Sequence, residues 1–431
     1  MSWRERLRAL RVDTTPLRTS RDFRLLFLAG TVFYLGGMVS YVALPYQLYR
    51  LTGSNFAVGA LGIVELVPLL FFGLYGGALA DHVDRRRLLV GTGAAQVLLT
   101  AVLMVNAFGP QRLWVIYAVG AALSAAGSLQ RPSKEALEPR TVTHDQITAA
   151  SALSSLGMQV GLLAGPAIGG VLVSTVGVGW CFALDVTGLV VATVLFAAMR
   201  PYPHGQETTP PSLRGIGEGL TYALRRRDLL GTYLIDITAM MMAMPVVLFP
   251  ALAEDVFGHP GLLGLLYTAE TVGSMLATAS SGWTSHVHHH GRAIVLAALA
   301  YGAAICLAGL APTIWLTMLC LVLAGAADMV SGLFRATIWN QTIPDTMRGR
   351  LAGIEMLSYS LGPLGGQVRA GVVADLWTVR GSIASGGALC VAGVAATALW
   401  LRDFWSYDAR TDEHAVRERT LRGVPRTDPY S

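Results

Sequence analysis

The sequence predicts an all-α polytopic membrane protein, with twelve transmembrane helices in two six-helix bundles. Three observations carry this. The chain has 431 residues, of which 53% are hydrophobic and only 14% charged, with a mean hydropathy of +0.52. A soluble chain carries charge on about a quarter of its residues. The apolar residues come in blocks of about 20, the length at which an α-helix crosses a bilayer. The basic residues gather between alternate blocks.

The blocks place spans at 23–49, 55–80, 88–108, 112–130, 147–175, 178–199, 228–252, 261–282, 292–311, 313–336, 351–377 and 382–403. With the N-terminus inside, 28 of the 32 lysines and arginines fall in the cytoplasmic tails and loops. Only Arg50, Arg112 and Arg380 lie outside, and Arg369 falls within a span. This asymmetry predicts a cell-membrane protein with both termini in the cytoplasm. Trp114, Trp180, Trp315 and Trp377 fall at outer span ends, and Trp283, Trp339, Trp400 and Trp405 at inner ends, where indole favours the headgroup boundary. Met1 to Asp22 is polar and arginine-rich and leads into an apolar run too long for a cleaved signal segment.

The longest polar connection, Pro201 to Arg227, begins rich in proline. It then repeats Leu213, Ile216, Leu220 and Leu224 at helical spacing, with Ser212 as a candidate N-cap. An interfacial helix on the inner leaflet and a solvated linker helix both fit this pattern. It divides the chain into an N-terminal bundle with its tail (1–203), the linker (204–227), a C-terminal bundle (228–404) and a cytoplasmic tail (405–431). The halves echo each other. Arg131 and Arg335 each follow Leu-x at the end of a span, with Pro139 and Pro344 eight or nine residues on. Parallel halves with a site between them are a transporter plan.

Cys181, Cys306, Cys320 and Cys390 lie singly in apolar runs and read as small core residues. Lys134 is the lone lysine, and its Ser-Lys-Glu context is not a phosphate-binding loop, so no ATPase motor is expected. The net charge of +5 reflects the inner loops, not nucleic-acid binding. No extramembrane segment is long enough for an enzyme domain.

Between spans two and three stands GGALADHVDRRR, Gly76 to Arg87. Gly77, Leu79, Asp81, Arg85 and Arg86 lie in this tight charged loop joining two membrane helices, where Asp81 would favour a helix N-terminus or Arg131 as partner. The plainer alternative is a positive loop that only sets topology. In the second half His286 stands where Asp81 would be. Span five carries Gly157, Gly161, Gly165, Pro166, Gly169 and Gly170, a spacing that permits close helix approach and a bend. Span eleven has the related Gly362-Pro363-Leu364-Gly365-Gly366.

These motifs resemble the major facilitator superfamily. The loop resembles its pattern G-x-L-x-D-R-x-G-R-[RK], with His82 and Asp84 as departures. Span five is similar to its antiporter motif, with Ala152 in place of the first glycine. The VDRRR variant resembles the branch of enterobactin exporters and transmembrane secretion effectors, as do FRLLFLA from Phe23, LFPALAEDVFG from Leu248 and TIPDTMRGRLAG. The resemblance implies the major facilitator fold and alternating access. It implies a proton gradient as energy source, with no cofactor, and a loop Asp81 latched to the start of span eleven.

Ionisable residues inside spans are costly and mark sites. Glu65, Asp236 and Glu270 are the first candidates for coupling protons or holding substrate. Asp328, Glu355 and Arg369 follow, with Asp185 in the outer half of span six. Internal pairing, for instance of Arg369 with Glu355, Glu65 or Asp236, is the structural alternative. His286 to His290 invites a metal, but no Cys or carboxylate adjoins it, so no metal is expected. Met240, Met241, Met242 and Met244 fit soft packing or an adaptable greasy pocket. The expected function is monomeric efflux of a small amphipathic siderophore, metabolite or drug; a proton-coupled nutrient importer and a non-transporting sensor are the alternatives.

Overall fold

The computed structural model describes residues 13–82, 84–202 and 213–421; for 74–82, 213–216, 219, 345, 346, 348–350, 352, 353, 356 and 357 it describes the backbone alone. After a short α1 (Thr15–Thr19), the first half holds α2 (Arg21–Thr52), α3 (Asn55–His82), α4 (Arg85–Phe108), α5 (Leu113–Leu137), α6 (Ile147–Thr175) and α7 (Val178–Ala197). A connecting α8 (Leu213–Arg225) precedes α9 (Arg227–Ala243), α10 (Leu263–Ala279), α11 (His290–Leu310), α12 (Ile314–Thr342), α13 (Asp345–Leu376) and α14 (Val379–Trp400). Two short helices, α15 (Arg402–Trp405) and α16 (Glu413–Leu421), follow. Among the described residues eleven helical stretches are long and apolar enough to cross a membrane. The twelfth, α13, matches α2 in length but is interrupted by Glu355, Gln367, Arg369 and repeated glycines.

The helices pair in the same way in each half. Helix α2 packs on α6 and α7, and α4 on α5 and α7. Helix α9 packs on α13 and α14, and α11 on α12 and α14. Counting spans from the start of each half, the first meets the fifth and sixth, and the third meets the fourth and sixth. The sequence echo at Arg131 and Arg335 is thus a repeat of structure.

The chain divides into two compact units. The described residues of one lie within Met1–Thr52, Val64–Pro210 and Pro260–Thr268; those of the other lie within Gly53–Ile63, Pro211–His259 and Ala269–Ser431. The first turns of α3 therefore belong with the second unit, and the start of α10 with the first. Gly53 and Gly177, in the tight turns before α3 and α7, have φ of 62° and 96° and need glycine for that reason.

Span seven is not one continuous helix. It stops at Ala243, because Pro245 cannot donate to the helical ladder, and continues as short turns from Val246 to Val256. Tyr301 Oη donates to the freed Ala243 carbonyl at 2.9 Å. The methionines before the break meet glycines of α13. A Cβ on Gly362 would lie 2.9 Å from the Met240 Cβ, and one on Gly365 2.9 Å from the Met241 Cε. That is the packing role among the two expected.

The connecting helix is confirmed, while its candidate cap Ser212 lies outside the described residues. Leu220 and Leu224 are exposed and Ala223 is buried. Of the arginines that follow, Arg226 turns inward: it pairs with Asp228 and donates to Tyr222 Oη at 2.7 Å and to the Thr342 carbonyl at 2.8 Å. The chain after α14 is held too, since Ala409 N donates to the His288 carbonyl at 3.0 Å. Trp114, Trp180, Trp315 and Trp377 are exposed as a membrane belt requires, but Trp339 is not a belt residue. It is buried, stacked on Tyr233 at 5.5 Å, and donates through Nε1 to Thr232 Oγ1 at 2.9 Å.

Candidate functional site

In the second unit, Asp236 on α9 forms an ion pair with Arg335 on α12, both side chains at most 4% exposed. Ser358 on α13 donates to the second Asp236 oxygen at 2.9 Å. Arg335 also lies 3.6 Å from Asp328, whose side chain is 40% exposed. Its guanidinium stands 5.8 Å from the centre of the Tyr359 ring, which meets Trp339 edge-on. Three spans are joined at one buried charge pair with an aromatic wall. Asp236 is thus tied to Arg335 and not to Arg369. The echo with Arg131 pointed to Arg335, but the two positions have diverged: Arg131 is 75% exposed and pairs with Glu135 at 2.9 Å.

Glu270 lies on α10 where that helix touches α12 backbone to backbone. A side chain on Gly325 would strike the Glu270 main chain, one on Gly273 would strike Val322, and Ser274 Oγ donates to the Gly325 carbonyl at 3.0 Å. The contact brings Glu270 within electrostatic reach of Asp328. Its Oε1 is buried with no hydrogen-bond partner among the described residues. Glu355 stands within electrostatic reach of Tyr233 and Tyr359. Arg369 is drawn elsewhere: its guanidinium reaches the Ser382 carbonyl at 3.4 Å and rests on Gly386 of α14.

Glu65 belongs to the first unit, where Ser124 Oγ donates to its main-chain carbonyl at 2.7 Å. There Asp185 is almost fully buried, accepts a bond from Ser40 and leaves Oδ1 without a partner among the described residues. The charged loop is partly legible. Asp84 is the N-cap of α4, accepting from Arg86 N at 2.9 Å and Arg87 N at 3.3 Å, which accounts for acid where the superfamily pattern has glycine. Arg85 donates to the Ala136 carbonyl at 3.2 Å and Arg86 to the Ala197 carbonyl, so two cations cap the ends of α5 and α7. The side chains of Gly77 to His82, including Asp81, lie outside the described residues, as does that of Arg350. Their proposed latch is not visible.

The glycines of α6 form the seam with α2. A Cβ on Gly157, Gly161, Gly165 or Gly169 would come within 3.1 Å of Thr31, Tyr34, Met38 or Val39. Gly170 meets the backbone of Gly264 at the start of α10. Gly161→Val is expected to lower the thermal unfolding temperature of the purified protein, at a cost of about 1–3 kcal/mol or more. Gly91→Ala, inside α4 at a position with open space, is the control and should not lower it, since alanine gains about 0.5–1 kcal/mol over glycine in a helix. His289 sits 3.7 Å from Asp408, His290 packs against Phe334 and Tyr407, and no cluster of metal ligands occurs among the described residues.

A family model described as transmembrane secretion effector matches residues 13–422. The chain belongs to the transmembrane secretion effector family. It is 29% identical, over 387 residues, to the enterobactin exporter of Escherichia coli O1:K1, covering 89% of this chain and 92% of that one. The enterobactin exporter of Shigella boydii serotype 18 matches equally. Among solved structures, a POT family transporter in complex with 5-aminolevulinic acid superposes with a TM-score of 0.72 at 11% identity, covering 89% of this chain and 97% of that one. The nucleoside transporter NupG gives 0.69 at 11%, covering 89% and 98%. A bacterial homologue of the iron transporter ferroportin gives 0.66 at 13%, covering 90% and 99%. The fold is that of the major facilitator superfamily, and the chain is a multi-pass membrane transporter of a small molecule.

Proposed function

We propose that the protein exports a small amphipathic molecule of siderophore type from the cytoplasm, by alternating access and in exchange for protons. Similarity to enterobactin exporters along 89% of the chain carries this reading. Supporting it are membrane-embedded carboxylates for which no ion pair of their own occurs among the described residues: Glu65 and Glu270, and Asp328, which stands 3.6 Å from an Arg335 already paired to Asp236. A lone carboxylate is costly to keep charged in a span, so it serves as a proton carrier. Both termini and the arginine clusters face the cytoplasm in this reading, and the proton gradient replaces any cofactor.

The test is flux into inside-out vesicles with an imposed pH gradient, across catecholate siderophores and amphipathic dyes. Uptake should follow the gradient and fall by an order of magnitude or more in Glu270→Gln. Uptake indifferent to collapse of the gradient overturns the exchange. In the same reading Asp81 latches the cytoplasmic gate through Arg131 and the start of α13. Asp81→Asn then slows turnover more than it weakens binding, whereas equal loss of both removes the latch.

A further inference from the structure

We infer that Lys134, Tyr34 and Gln130 form an anion subsite in the first unit, which takes a carboxylate or phenolate on an aromatic ring. The inference rests on the export reading above and adds the substrate's charge to it. Lys134 is the chain's single lysine and lies near the end of α5. A long cation at such a place ordinarily turns toward the nearer headgroups. Lys134 does the reverse. Ser20 Oγ donates to the Thr141 carbonyl at 2.6 Å, which sets the start of α2 level with the turn after α5. At helical rise Lys134 then stands roughly 10 Å above that level, and Gly30 and Tyr34 on α2 about 15 and 21 Å above it. The ammonium reaches up to these two residues, with Nζ 4.6 Å from the centre of the Tyr34 ring.

The place is shaped for it. A Cβ on Gly30 would lie 2.8 Å from Nζ and 3.1 Å from Cε, so glycine there makes the berth. On α6, a Cβ on Gly161 would lie 2.7 Å from the Tyr34 Cβ, so that glycine seats the ring. No carboxylate lies within ion-pair distance of Lys134 among the described residues. Glu135 is paired with Arg131, and both it and Glu138 act on Lys134 only at longer range. One turn earlier on the same helix, Gln130 is 5% exposed and keeps its Nε2 buried without a hydrogen-bond partner among the described residues. Residues four apart share a helix face. An ammonium and an amide N–H on one face, beside an aromatic ring, match an anionic oxygen on a flat aromatic group.

The experiment is equilibrium binding to the purified full-length protein in nanodiscs, with 2,3-dihydroxybenzoate and its neutral amide as paired probes. The wild type should prefer the carboxylate by about 10- to 100-fold, the strength of a charge-assisted bond. Lys134→Met should erase the preference, Lys134→Arg should keep part of it, and Gly30→Ala should weaken it by crowding Nζ. The unfolding temperature of Lys134→Met should stay within a few degrees of the wild type, since no ion pair is broken and only the contact with the Tyr34 ring is lost. A wild type that binds both probes alike, or a Lys134→Met protein that keeps the preference, overturns the subsite. Preference without vesicle flux upholds the subsite and fails the export reading; flux without preference does the opposite.

Discussion

Arg335→Met should destabilise the protein by about 3–5 kcal/mol, and Asp236→Asn by a similar amount, because each leaves its partner as an uncompensated charge inside a helix bundle. The two side chains are almost wholly buried and bound directly to each other. The double variant should recover most of the loss, since removing both charges also removes the cost of burying them. Asp328→Asn should cost much less. At 3.6 Å from Arg335 it is beyond a hydrogen bond, and its side chain is 40% exposed. Thermal unfolding of the four proteins in detergent checks the order. A double variant as unstable as either single one would mean that the pair does not act as a unit. Transport separates structure from mechanism. Asp328 and Glu270 remain in the double variant, so its flux should persist if those two carry the proton, and vanish if Asp236 does.

The spans were legible because a bilayer imposes one length and one composition on every helix, and the boundary arginines repeat that signal. The break in span seven was not legible: the run over 228–252 looks continuous in hydropathy, and only the structure shows it stopping before Pro245. Partners were less legible. A sequence gives the depth of Asp236 or Arg369 along a helix but not the rotation that decides which neighbour each meets. A carboxylate partner was one of two readings for Arg369, yet it lies on the backbone of α14 at Gly386. Trp339 carried a belt residue's position and turned inward for the same reason. The glycines of α6 were read correctly as a close approach, but only the structure names α2 as the helix they approach.

Asp375→Ala should release the start of α3 and shift the protein between conformations by about tenfold, an effect that span boundaries alone did not suggest. Asp375 ends α13, yet it caps a helix some 320 residues away in sequence. It accepts from Ser54 Oγ at 2.6 Å, Asn55 N at 2.8 Å, Asn55 Nδ2 at 3.0 Å and Phe56 N at 2.9 Å. The first N–H groups of a helix have no partner of their own, and losing a capping carboxylate costs about 1–2 kcal/mol. Below the cap the two helices touch at glycines, largely backbone against backbone. A Cβ on Gly371 would strike Asn55, one on Gly59 Gln367, and one on Gly62 would come 2.9 Å from the Leu364 carbonyl. Such a seam is stiff while closed and loses its contacts together, which suits an element with two states. A transport cycle that parts α3 from α13 must break all four bonds, so weakening them by 1.4 kcal/mol moves the two populations by about a factor of ten. Spin labels on the first turn of α3 and the last turn of α13 would report the distance distribution. A growing long-distance population in Asp375→Ala, and a partial one in Asp375→Asn, is the expected result; identical distributions in all three proteins would make the cap a static fastening.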